Sequence, residues 1–138
     1  MAIPKPRVGM VIRHSFLFSN GEEKERPAVV IVAVDPANTG DPLQVAVMPI
    51  THSPPLDVAT AIEIPPRLKS HLKLDDDRSW VVIDEINEFM WPGYDIRQIP
   101  GSEGSWEYGQ MPPGFIKQIA ERVEQLEKGN RMHITSRD

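Results

Sequence analysis

Apolar positions in this chain recur mostly with the period of strands. The strongest signal is the run at residues 29–34, Val-Val-Ile-Val-Ala-Val, which has no polar break. β-branched side chains suit a pleated surface, and continuous apolar character predicts a central strand covered on both faces. Pro27 stands just before the run. It has no N–H to give a ladder, which suits the first residue of that strand and not its middle. Arg26 is therefore expected where loop becomes strand. The preceding segment, 18–25, is expected to be a solvated connection with a tight turn at Asn20-Gly21.

Further strands are expected at 6–16, where Val8, Met10 and Ile12 alternate loosely with Gly9, Val11 and Arg13, and at 43–52, 61–65 and 79–87. The last continues through 88–95 into a Pro-Gly turn, and shorter extended pieces follow at 96–99 and 105–109. Residues 35–42, Asp-Pro-Ala-Asn-Thr-Gly-Asp-Pro, are turn chemistry throughout and join 29–34 to 43–52 as an antiparallel hairpin. Pro49 marks an edge or a bulge near the end of the second strand. In that hairpin Arg26 begins one strand and Thr51 ends the other, so the two belong on one rim.

Helical period is confined to two places. Pro66 opens what reads as one helical turn over 66–72. Near the end, Phe115, Ile116, Ile119, Val123 and Leu126 share one face of an amphipathic helix, with Glu124 and Lys128 paired on the wet side and Gly129-Asn130 as its stop. Residues 131–138 are expected to fray. No repeat or second domain is visible across 1–138. Many short strands in a small chain must close or pack, so the expectation is a mainly β protein: a small, strongly bent barrel with a C-terminal helix.

Composition narrows the classes. The chain has 138 residues, enough for one domain with a core, and no apolar run long enough to span a bilayer. The first residues lack the apolar stretch of a secretory signal. There is no cysteine, which removes disulfides and thiolate zinc sites. A cytoplasmic protein without membrane partners is expected. The formal net charge of −5 argues against a broad nucleic-acid-binding surface. The balance is uneven, however: +1 over residues 1–74 and −6 over 75–138. A local basic site in the first half is compatible with these totals. Asp75-Asp76-Asp77 lacks the glycine and glutamate of a calcium loop and is expected to be a charged turn, not a metal site.

At Gly9, then Lys24-Glu25-Arg26-Pro27-Ala28-Val29-Val30, then Met48-Pro49-Ile50-Thr51, the chain resembles the MazF/PemK family of toxins in the order and spacing of its motifs. Residues 80–95 and the last helix look, less specifically, like the later part of PemK-like members. The resemblance implies an SH3-like barrel that forms a homodimer. It implies the toxin of a type II toxin–antitoxin pair, cleaving single-stranded RNA without metal or cofactor and held in check by an antitoxin. The family's site arginine and threonine fall on Arg26 and Thr51. Metal-free RNA cleavage uses the 2′-OH as nucleophile, so the protein must stabilise the phosphorane and move protons. His52, His14 and Glu25 are the candidate proton carriers, with Glu25 alternatively a loop charge. The aromatic residues Phe89 and Trp91 fit either a dimer surface or the core of one protomer. Three features differ from the family: the net acidity, His52 directly after Thr51 where many relatives have another small polar residue, and Glu22, Glu23 and Glu25 close to the proposed site. The competing expectations are a non-catalytic protein-binding module on the same barrel, like the related CcdB-type gyrase poisons or an inactive PemK relative, and a purely structural β-domain.

Overall fold

The structure is a computed structural model that describes residues 3–35, 37–38, 44–75 and 77–138. Its elements in order are β1 (Met10–Leu17), β2 (Glu23–Val34), β3 (Gln44–Thr51), a 3-10 turn (Val58–Thr60), β4 (Ala61–Glu63), α1 (Pro66–His71), β5 (Trp80–Val82), β6 (Glu85–Met90), β7 (Ile96–Arg97), β8 (Glu107–Gln110), α2 (Pro113–Lys128) and β9 (His133–Ser136). The protein is mainly β, with one long helix near its C-terminus. No helix among the described residues is long and apolar enough to cross a membrane.

Asn20 and Gly21 turn the chain between β1 and β2, with Gly21 at φ +91° and the Phe18 N–H donating to Glu22 O at 2.8 Å. The turn is shorter than the sequence suggests. Glu23, Lys24 and Glu25 already belong to β2, opposite Leu17, Phe16 and Ser15. Pro27 accordingly lies inside the strand and not at its first residue. It is tolerated because the β2–β3 pairing begins only at Ala28↔Pro49, so Pro27 stands where that ladder ends. Most of the expected hairpin loop at 35–42 lies outside the described residues, but the hairpin itself is present: β2 and β3 are antiparallel through Val34↔Gln44.

The strands form one sheet ordered β4-β5-β3-β2-β1-β7, with β6 also on β3, β8 on β1 and β9 on β6. All pairings are antiparallel except β6–β9, which is parallel. The path does not return to its first strand, so the sheet is open and the expected closure into a barrel does not occur. Its terminal strands β4 and β7 are only 3 and 2 residues long, which blunts the edges without closing them. β5 and β6 run as one interrupted strand beside β3, broken at Ile83-Asp84.

Alternation along the central strands feeds two cores. Val11, Val29, Ala46 and Met48 point into the larger one, against Ile83, Met111 and the α2 residues Phe115, Ile119 and Leu126. Met10, Ile12, Ala28, Val30, Val45 and Val47 point the other way, against Phe16, Phe89 and Ile96. Both faces are thus covered at the middle of β2, as its composition predicts. The far end differs: Val32 and Val34 are 42% and 44% exposed. Gly9 suits the start of β1, because its φ of +92° strains any other residue and an added Cβ would lie 3.0 Å from the Met111 carbonyl oxygen.

The C-terminal segment does not fray. The edge of β6 offers unpaired backbone groups, and β9 takes them from Glu85↔His133 to Glu88↔Ser136. Arg137 fixes this addition, donating to Asp95 Oδ1 at 2.9 Å and Glu23 Oε2 at 2.8 Å.

His14 is fully buried on β1, with its ring stacked on Phe89 at 4.9 Å between centroids. Its Nε2 lies 3.3 Å from Asn87 Oδ1, while Nδ1 has no partner. That arrangement assigns the proton to Nε2. Asn87 in turn accepts from Leu17 N–H at 2.9 Å and donates to Leu17 O at 2.8 Å. Desolvation by burial, only partly offset by the Asn87 hydrogen bond, lowers the His14 pKa to about 4 from an ordinary 6.5. A depressed folded value means that the unfolded chain binds the proton first. The stability held by neutral His14 is therefore complete above about pH 6.5 and erodes as pH falls through about 4. His14→Phe keeps the ring stack and removes the titration. Urea unfolding of the native protein should lose more stability between pH 7.5 and 4.5 than the variant does, by on the order of 2 kcal/mol. Equal losses would show that His14 is not held neutral.

Candidate functional site

Two ladders that share β2 part company at the candidate site. β1 stays paired with β2 through His14↔Arg26 and beyond, to Leu17↔Glu23. β3 stops pairing with β2 at Ala28↔Pro49 and is then held by β5 through Ile50↔Val81 and Thr51↔Trp80. Neither Pro27 nor Pro49 has an N–H with which to continue the β2–β3 ladder. Extending its register would set Arg26 opposite Thr51, and the two do line one cleft of about 260 Å³ with Phe18, Asn20, Lys24 and Ser53. A second cleft of about 290 Å³ opens on the other side of Arg26, lined among others by Arg13, Glu25, His52, Asp75 and Tyr108. Arg26 forms the wall between the two.

The guanidinium of Arg26 is half-buried, and its Nε is buried without a hydrogen-bond acceptor. It makes no ion pair with any described residue, unlike Arg13, Arg78 and Arg137, which hold Glu25, Glu63 and Asp95. An always-charged fork with an unmatched buried donor is ready for an anion from outside the protein. Thr51 Oγ1 accepts the Ser53 N–H at 3.2 Å. Its own hydroxyl hydrogen has no acceptor among the described residues.

The second cleft holds two tethered pairs. Arg13 Nε donates to Glu25 Oε1 at 2.8 Å, and Arg13 Nη1 donates to the Tyr108 hydroxyl at 3.2 Å. Burial pulls the Arg13 pKa down, but these hydrogen bonds outweigh it and the guanidinium is held above its ordinary value. His52 Nε2 lies 3.0 Å and 2.9 Å from the two oxygens of Asp75. Asp75 also accepts the Asp77 N–H at 3.2 Å, and the buried Lys69 ammonium stands 3.8 Å away. Its carboxylate is thereby fixed by backbone and charge, and it fixes the imidazole.

The sequence candidates therefore divide. Arg26, Thr51, His52 and Glu25 are brought to the two adjoining clefts. His14 is not: the pairing places it opposite Arg26, but its side chain turns into the core against Phe89 and Asn87, so it is corrected from candidate proton carrier to core residue. Glu25 is committed to Arg13. Arg13, Asp75 and Tyr108 belong to the site and were not anticipated; Asp75 lay in an acidic run whose only visible signal was charge.

No protein-family model matches this chain, and neither does any curated protein. Ligand atoms of His52, Asp75 and Asp77 lie within 4.8 Å of one another, the grouping among the described residues that could meet a cation. All three are exposed, and His52 and Asp75 already satisfy each other. Phe89 and Trp91, which by sequence fit either a dimer surface or the core, stack on each other with centroids 6.2 Å apart, and Trp91 Nε1 donates to Pro4 O at 3.0 Å. They are occupied within the protomer.

An unmatched guanidinium makes a direct prediction. Inorganic phosphate should raise the melting temperature of the native protein relative to chloride at equal ionic strength. At ten times its dissociation constant the gain is about 1.4 kcal/mol, a few degrees for a chain of this size. Arg26→Gln should remove the phosphate effect without lowering the melting temperature in chloride. A phosphate response that survives in Arg26→Gln would place the anion elsewhere.

Proposed function

We propose that this protein is a metal-independent endoribonuclease of the MazF/PemK type, built on a strongly bent SH3-like sheet and acting on single-stranded RNA as the toxin of a type II toxin–antitoxin pair. The observation that carries the reading is the unpaired Arg26 guanidinium beside the Thr51 hydroxyl at the mouth of an open cleft. The family resemblance of residues 9–51 supplies the substrate class, a homodimeric assembly and a cognate antitoxin as partner.

In this reading Arg26 grips the non-bridging oxygens of one phosphodiester, and Thr51 donates to the same group. The 2′-OH attacks phosphorus, forming the P–O2′ bond as the P–O5′ bond breaks. Its proton leaves to a base, and O5′ receives a proton as it departs, giving a 2′,3′-cyclic phosphate and a 5′-hydroxyl. His52, oriented by Asp75, is the proton carrier in the cleft beyond Arg26. Arg26 has little reorganising to do, because its position is set by β1 on one side and by the end of the β3 ladder on the other.

One observation favours the second reading, a non-catalytic protein-binding module: Glu22, Glu23 and Glu25 sit beside the site on the β1–β2 hairpin. Each is neutralised locally, by Lys24, Arg137 and Arg13 respectively. That weakens their repulsion of a phosphate.

Incubation with a long single-stranded RNA in EDTA tests the assignment. Cuts at a short recurring sequence, ending in 2′,3′-cyclic phosphate, are expected. Arg26→Ala should reduce the rate at saturating RNA by roughly 10²–10³ and His52→Gln by roughly 10²–10⁴, with Thr51→Val showing a smaller loss. RNA left intact both with and without EDTA, or cleavage unchanged in Arg26→Ala, would overturn the proposal. Cleavage seen without EDTA and lost with it would overturn the metal independence and reassign the His52–Asp75–Asp77 grouping to a metal.

A further inference from the structure

The two clefts that meet at Arg26 are part of a longer track. A third cleft, of about 220 Å³, is lined by Ile99, Pro100, Ser102, Ser105 and Glu107 together with Lys73 and Tyr108. Lys73 and Tyr108 also line the cleft that holds His52. Three concavities therefore follow one another, joined first through Arg26 and then through Lys73 and Tyr108.

The charges along this track are nearly all spent. Glu22 is held by Lys24 at 3.0 Å, Glu25 by Arg13 at 2.8 Å, Asp75 by His52 at 2.9 Å and Glu107 by Arg7 at 2.6 Å. Of the Lys and Arg side chains lining the three clefts, Arg26 and Lys73 have no ion-pair partner among the described residues. The track is thus neutral on balance and carries two uncommitted positive charges, one at each junction.

Lys73 is also in an unusual place. The end of α1 is a Schellman motif: Leu74 N–H donates to Lys69 O at 3.0 Å and Lys73 N–H to Ser70 O at 3.2 Å. Lys73 occupies the left-handed position of that motif at φ +55°, where glycine is strongly favoured. A lysine there is conformationally disfavoured, and its side chain stands at the junction of two clefts. Tyr108 lines the same two clefts. The residue is half-buried against the larger core, and its hydroxyl is held by Arg13 at 3.2 Å. It puts an aromatic side chain, tethered at its tip, into the lining of both clefts.

We propose that Lys73 and Tyr108 form a nucleotide subsite for single-stranded RNA next to the scissile phosphate. Lys73 neutralises the adjoining phosphodiester, and the Tyr108 ring stacks on its base. The proposal rests on the ribonuclease reading, because Arg26 defines the phosphate from which the subsite is counted. Stacking of this kind tolerates every base, so the subsite adds affinity and fixes the path of the strand without reading sequence.

Lys73→Gly is the informative variant, since glycine suits the backbone there and the protein should melt no lower than the native form. Binding of a fluorescent 2′-fluoro oligoribonucleotide, which lacks the nucleophile, is followed by anisotropy as salt is varied. The slope of log affinity against log salt should fall by about 0.7, the loss of one phosphate contact on a single strand. Lys73→Arg should restore it. Tyr108→Leu, which keeps apolar packing, should weaken binding by roughly 5-fold or more, and removing single bases from the oligonucleotide should no longer matter at one position. If the native protein cleaves RNA yet Lys73→Gly keeps the native salt slope, or Tyr108→Leu keeps native affinity, this subsite is wrong and the ribonuclease reading stands. If the native protein neither binds nor cleaves, that reading fails first.

Discussion

The geometry of the whole site depends on where one hydrogen-bonded ladder stops. β2 pairs with β1 from Glu23 to Val29, but with β3 only from Val34 as far as Ala28↔Pro49. Two prolines stand at that point, each without a donor, and β3 passes to β5 instead. A sheet that lets two neighbouring strands separate leaves a notch, and the residues at its lip are those just outside the last bonded pair. Arg26 and Thr51 hold those positions. The clefts on both sides of Arg26 open at this divergence, and the turn after α1 and the β1–β2 hairpin supply much of their walls.

Rigidity around the notch comes from behind it. His14, opposite Arg26 on β1, is anchored by Asn87, which also clamps Leu17 by both of its amide atoms. The strand beside the one that carries Arg26 is therefore held by the Asn87 hydrogen bonds as well as by apolar packing, with His14 Nδ1 alone in this group left without a partner. On the cleft side, Lys69, Asp75 and His52 form a second chain of contacts that runs from the interior to the solvent. A carboxylate bonded to backbone and flanked by a lysine and a histidine has little freedom, and this turns an exposed histidine into a directed one.

Much of the frame is legible in the order of residues. The apolar run after Pro27, the Asn20-Gly21 turn, the helix face from Phe115 to Leu126 and the nearness of Arg26 to Thr51 all follow from period and turn chemistry. What is not legible has a common cause. Whether Pro27 sits at a strand's start or within it depends on which neighbour its missing N–H would have met. Whether residues 131–138 fray depends on the open edge of β6 and on Asp95 and Glu23 waiting for Arg137. His14 and His52 are alike as sequence; pleat direction sends one into a core and leaves the other at a cleft. Asp75 acquires its meaning only from residues 23 positions upstream. Barrel closure is likewise a matter of which strands meet: the end strands β4 and β7 do not pair with each other.

Both faces of the central sheet are covered, and this bears on how such a protein can change over generations. With the middle residues of β1, β2 and β3 committed alternately to one of two cores, substitutions there carry a heavy penalty. The walls of the track, by contrast, come largely from hairpin tips, the turn after α1 and the segment before β8. Selectivity can drift at those tips while the frame stays constant. Divergence of this kind leaves architecture intact and erases recognisable ancestry from the very segments that choose the ligand.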